Sequence, residues 1–158
     1  MPYAIGIVCL LVLSDLFAVA GAPAGGGGLA LPEGWREMPE LVLAAKPGQV
    51  RVESRRAYGD PASGCFALVQ RVSGERAKAA AARSALASGL RSRGLEVGGD
   101  GEEMAVAGLG IQGRIRTAMR AEAGGRFSAV STACFYNGRQ PERCKTQCDL
   151  LLDRLGGG

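Results

Sequence analysis

Four cysteines, Cys65, Cys134, Cys144 and Cys148, and a set of arginines spaced along strand-like stretches are the residues of this 158-residue chain whose types and spacing bear on chemistry. There is no histidine. That removes the commonest general base, the imidazole metal ligands and every Ser–His or Cys–His nucleophile pair. A zinc site built from cysteine alone would need two closely spaced knuckles, which these spacings do not form. No cofactor and no metal is expected, and the chain does not read as an enzyme. Glu102 and Glu103 are neighbours on a strand and point to opposite faces, so they do not form an acid/base pair. Asp149 and Asp153, four residues apart on the last helix, read as solvent-facing. The glycines mark turns and chain ends rather than a phosphate-binding motif.

The cysteines permit a geometric test. Residues 133–155 read as the end of a strand, a tight polar turn and a helix starting near Pro141, where proline is tolerated in the first turn. Cys144, Cys148, Leu151 and Leu155 then fall on one helical face, the buried one. Cys134 lies about 10 Å down the strand, at roughly 3.3 Å per residue. Cys148 lies about 10 Å along the helix, at roughly 1.5 Å per residue. A helix folded back over its own strand brings the two together. Cys144 stays near the turn, as does Cys65 at the start of an earlier strand. The expected disulfides are Cys134–Cys148 and Cys65–Cys144, with exchanged helix partners as the main alternative. A bridge between Cys144 and Cys148 is disfavoured by side-chain placement within one helix. The competing chemistry is a redox pair of Cys144 and Cys148 near a helix N-terminus, but their spacing is not that of the thioredoxin motif.

Arg114, Arg116 and Arg120 share one face of one predicted strand, and Arg51 and Arg55 are placed on one face of another. If both faces are exposed and coincide, they form a basic patch suited to an anionic polymer. A solvated face written in arginine is the plainer reading. Nucleic acid is not expected, because no aromatic residues accompany these arginines as a stacking platform.

Residues 1–20 have the pattern of a secretory signal peptide: an apolar run from Ile5 to Leu13, a second from Leu16 to Ala20 separated from it by Asp15, and small residues at Ala18 and Ala20. Retention of this segment as an anchor is the alternative, although a membrane span needs about 20 uninterrupted apolar residues. Cleavage would remove Asp15 and no base, so the formal charge of +4 would become +5. An even number of cysteines after the leader fits an oxidising, secreted or periplasmic setting. No stable membrane insertion is expected after cleavage.

Residues 21–30 read as a Gly-rich tether, 31–155 as a single domain and 156–158 as a disordered tail. Trp35 is expected to be a core plug. A short helix is expected over residues 37–45, then strands over 49–58 and 65–72. An Ala-rich helix follows, capped by Ser73 and stopped by Gly94. A meander comes next, with strands near 95–97, 102–107, 111–122 and 126–137 separated by glycine turns, and then the final helix. This order implies an α+β domain, an antiparallel sheet with helices packed on one face, stapled by disulfides.

Leu31-Pro32-Glu33-Gly34-Trp35, followed by this order of elements, resembles the PsbP-like α+β sandwich of extrinsic photosystem subunits and small exported bacterial proteins. The resemblance implies a non-enzymatic binding or assembly role and supplies no catalytic residues. The leading expectation is an exported binding or scaffolding module of the cell envelope, with an envelope protein or an anionic polymer as partner. The alternatives are a thiol–disulfide oxidoreductase using Cys144 and Cys148, and an adhesin acting through the arginine face.

Overall fold

The computed structural model describes residues 30–42, 50–100 and 102–156, the side chains of Asp100, Leu155 and Gly156 excepted. The leader, the tether up to residue 29, the last two residues of the tail and the place of Leu155 on the helical stripe lie outside this description. Seven antiparallel strands form one sheet: β1 (Arg36–Glu37), β2 (Arg51–Asp60), β3 (Cys65–Glu75), β4 (Glu96–Asp100), β5 (Glu103–Gly108), β6 (Ile111–Glu122) and β7 (Arg126–Asn137). Their order is β1-β2-β3-β7-β6-β5-β4. Helices α1 (Ala79–Ser92) and α2 (Pro141–Gly156) complete the α+β domain. The last strand in sequence is thus the central one, paired along its length with both β3 and β6.

The expected strands, the meander and both helices are present, but the two helices lie on opposite faces of the sheet. Side chains alternate across a strand, and β7 is apolar on both sides. Phe127, Ala129, Ala133 and Phe135 join the core beneath α1, with Leu86, Leu90 and Ile115. Cys134 belongs to a second core with Trp35, Tyr58, Cys65 and the α2 residues Cys144, Cys148 and Leu151. The first face is already occupied when the chain leaves β7. A helix whose cysteines must reach Cys134 therefore has to lie on the second.

Local chemistry accounts for the element ends. β3 runs on to Glu75, so Ser73 is a strand residue, not the cap of α1; a 3-10 turn over Arg76–Lys78 leads into the helix instead. At its other end Gly94, with φ of 84°, takes the left-handed conformation. The Gly94 and Leu95 N–H groups donate back to the Arg91 and Leu90 carbonyls and close the helix. Near the first strand only a 3-10 turn at Pro39–Leu41 replaces the expected helix over 37–45, and residues 43–49 are outside the description. Asn137 accepts from the Arg139 N–H, shaping the turn into α2, and the Cys144 N–H donates to the Gln140 carbonyl.

Candidate functional site

On the α2 face the cysteines pair as their spacing predicts. Cys65–Cys144 has a Cα separation of 5.4 Å and Cys134–Cys148 one of 5.7 Å. All four residues are at most 2% exposed. Each helix cysteine is therefore tied to a different strand, and neither sulfur pair lies open to a dithiol partner. Around Cys65 the polar groups are internally satisfied. Asp60 Oδ2 accepts from the Ser63 hydroxyl at 2.6 Å, and Ser63 Oγ stands 3.1 Å from Cys65 Sγ. Trp35 is a packing residue, as expected. Its indole Nε1 donates to Gln147 Oε1 at 2.8 Å, while Gln147 Nε2 donates to the Glu33 carbonyl at 3.2 Å. The Leu31–Trp35 turn is thereby fastened to α2 from the sheet side.

The arginines divide in a way that one strand's periodicity does not show. Arg114 and Arg116 do share a face of β6, but that face is roofed by α2, whose Asp149 and Asp153 were expected to face solvent. Arg114 instead donates to Glu103 and to Asp149, and Arg116 to Asp153 at 2.9 Å and to Glu103 at 3.4 Å. The hydrogen bond from Arg114 holds the Glu103 carboxyl below its usual range, helped by the charge of Arg116. In return the hydrogen bond to Glu103 raises Arg114, and that to Asp153 raises Arg116. These two arginines therefore clasp the helix and do not form an open basic surface.

Arg51 and Arg55 do not share a face. The register of β2 against β3 shifts between Val52 and Ser54, so Glu53 is the extra residue of a β-bulge and the alternation reverses there. Arg51 lies opposite Ser73, on the α2 side of the sheet. Arg55 lies opposite Gln70, on the α1 side, and its Nε donates to Gln70 Oε1 at 3.2 Å. Burial lowers the Arg55 guanidinium from its ordinary value.

Arg51 joins Arg120 instead. Reading across β2, β3, β7 and β6, the register aligns Arg51, Ser73, Ser128 and Arg120 in one row. The next row begins Ser54, Arg71, Val130 and places Arg71 between them on the same face. Arg51, Arg71 and Arg120 are exposed, and none of the three is paired with a carboxylate among the described residues. Glu122 shares the file of Arg120 and accepts from the Ser128 hydroxyl at 2.6 Å. The sheet face that carries α2 thus has a neutralised half under the helix and a cationic half beyond it. Arg71 was not singled out by sequence, yet the alternation of β3 marks it: it follows Cys65, Ala67 and Val69 at intervals of two.

The α1 face holds a second group of polar residues, each of which interrupts an apolar alternation in the sequence. Phe66, Leu68 and Val72 alternate on β3, and Gln70 interrupts them. Ser131 likewise interrupts Phe127, Ala129, Ala133 and Phe135, and Thr117 stands between Ile115 and Met119. Register aligns Arg55, Gln70, Ser131 and Thr117 in one transverse row. Gln70 and Ser131 are 3% and 7% exposed, and Thr117 Oγ1 lies 3.2 Å from Ser131 Oγ.

Among the described residues no cluster of His, Cys, Asp and Glu could hold a metal ion, and no helix is long and apolar enough to cross a membrane. No protein-family model matches the chain, and neither a curated protein nor a solved structure matches it.

Proposed function

We propose that the chain is an exported, disulfide-stapled, non-catalytic binding module of the cell envelope that holds an anionic polymer against Arg51, Arg71 and Arg120. The observation that carries this reading is the division of charge on one sheet face. Arg114 and Arg116 are matched by carboxylates under α2, whereas the three arginines beyond the helix have none among the described residues. Guanidinium groups carried on neighbouring strands of one sheet face are bidentate donors for sulfate, phosphate or carboxylate groups. Two disulfides tying the N-terminal half of α2 to the sheet support export to an oxidising compartment, as does the leader-like sequence of residues 1–20. Secretion or a periplasmic location is part of the same proposal. So is the assembly role implied by the PsbP-like resemblance of Leu31–Trp35. The thiol oxidoreductase alternative is less well supported, because a dithiol mechanism needs an accessible sulfur and these four are buried.

The test is retention of the disulfide-bonded protein on a heparin column as salt is raised. The wild type is expected to bind at low salt and elute as screening increases. Arg71→Gln with Arg120→Gln should elute at clearly lower salt, while Arg114→Gln should elute with the wild type. Flow-through of the wild type at low salt, or equal sensitivity to all three substitutions, sinks the reading.

A further inference from the structure

Beneath the N-terminal half of α1 the sheet is not fully covered. Ala79 and Ala82 are too small to fill the space between helix and sheet, and a pocket of about 40 Å³ remains. Its floor includes Gln70, Ser131 and Thr117 from the polar row, its apolar wall includes Val72 and Phe127, and Arg83 of α1 also lines it. Met119, 43% exposed, places the mouth at the solvent side of β6.

The lining is mainly apolar, and its formal charge is of one sign. Gln70 Oε1 accepts from Arg55, and the amide N–H groups can donate. Thr117 and Ser131 are joined to each other, and one of the two hydroxyl protons remains to be donated. Arg83 offers only donors, and it makes no ion pair among the described residues. No lining residue is acidic. A mainly apolar pocket lined by one cationic residue and no acid, with donors available on Gln70 and Ser131, is complementary to a compact anionic acceptor, and the Val72, Phe127 and Met119 surfaces are complementary to methylenes. The volume sets the size. A water-sized group needs about 10–15 Å³, so the pocket takes about three such groups: a carboxylate and the first methylene, not a whole drug-sized molecule.

We propose that this pocket is a binding site for a short alkyl monocarboxylate. Its headgroup is held between Arg83 and the Gln70–Ser131 floor, and its chain leaves along Phe127 and Met119. The site is on the face opposite Arg51, Arg71 and Arg120, so loss of polymer binding and loss of carboxylate binding are separate results.

Titration of the disulfide-bonded, isotope-labelled protein with hexanoate, followed by NMR, tests the assignment. Hexanol and hexylamine serve as neutral and cationic controls. The expected result is a saturable shift of the Gln70 side-chain amide and of the Ser131 and Met119 backbone signals with hexanoate, and none with hexylamine. Arg83→Gln should weaken hexanoate about tenfold, the usual consequence of losing a hydrogen bond to a charged group, while leaving the spectrum of the free protein folded. Ala82→Val, which narrows the pocket without removing a polar group, should also weaken it. The proposal is overturned if the pocket signals do not move, if hexanol shifts them as strongly as hexanoate, or if the shifts gather around Arg51, Arg71 and Arg120.

Discussion

Cys65, at the start of β3, and Cys144, in the first turn of α2, are bonded across 79 residues, whereas Cys134 and Cys148 close only 14. The two bridges grip one helix, yet they constrain the unfolded chain unequally. Loop-closure entropy assigns about 4.5 kcal/mol to the longer loop and about 3 kcal/mol to the shorter. Replacing Cys65 and Cys144 together by alanine should therefore lower the urea midpoint more than replacing Cys134 and Cys148. Equal losses would mean that native packing around α2, rather than the unfolded chain, sets the contribution.

Glu103 links the β5–β6 hairpin to α2 through Arg114 and Arg116. Its carboxyl is held below the ordinary value by the hydrogen bond from Arg114. The folded pKa is depressed, so the stabilisation is fully present above the unfolded value of about 4.3 and is lost as pH falls through the lower folded value. Unfolding midpoints measured from pH 6 down to pH 2 should fall within that acidic window. Glu103→Gln should flatten the fall while changing stability at pH 7 by no more than about 1 kcal/mol, since the pair is partly exposed. An unchanged pH profile in Glu103→Gln would remove this carboxylate from the account.

Trp35 is the only tryptophan of the chain, and its indole donates to Gln147 inside the disulfide-bearing core. Trp35→Phe keeps most of the apolar surface but leaves the Gln147 oxygen unpaired. A loss of about 1–3 kcal/mol is expected for a buried orphaned acceptor. In the wild type, tryptophan emission should shift to the red only with global unfolding. A shift at low denaturant, before the circular dichroism changes, would show that the Leu31–Trp35 turn detaches on its own.

Two positions on β6 and its preceding turn should respond in opposite directions. At Gly113 a Cβ would overlap the Phe135 ring and crowd the Cys134 carbonyl oxygen. Gly113→Ala should therefore destabilise, by about 1–3 kcal/mol if the ring is forced from its rotamer. Leu109, with φ of 53°, occupies the left-handed region beside Gly110 in the two-residue turn from β5 to β6. Turns of this kind favour Asn at that position. Leu109→Asn should stabilise by a fraction of the roughly 1–2 kcal/mol that left-handed backbone costs an ordinary side chain. Thermal midpoints of the two variants, compared with wild type, check both signs.

Local pattern alone determined much of this molecule. The alternation of β6 and β7, the glycine turns between them, the 3.6-residue repeat of Cys144, Cys148 and Leu151 and the rise of strand and helix were sufficient for the long strands, the last helix and both disulfides, but not for β1 at Arg36–Glu37, where the pattern predicts the start of a helix. Short-range spacing carries such information because the backbone period places each side chain relative to its neighbours. Only the tertiary structure decided the rest. Which face α2 would take depended on α1 already covering Phe127 and Phe135. The fate of Arg114 and Arg116 depended on Asp149 and Asp153 arriving from 35 and 37 residues away. The parting of Arg51 from Arg55 depended on a bulge visible only against the register of β3. A one-residue offset or a helix laid across a strand reassigns every side chain to a partner or to solvent, and neither event leaves a local periodicity by which it can be read.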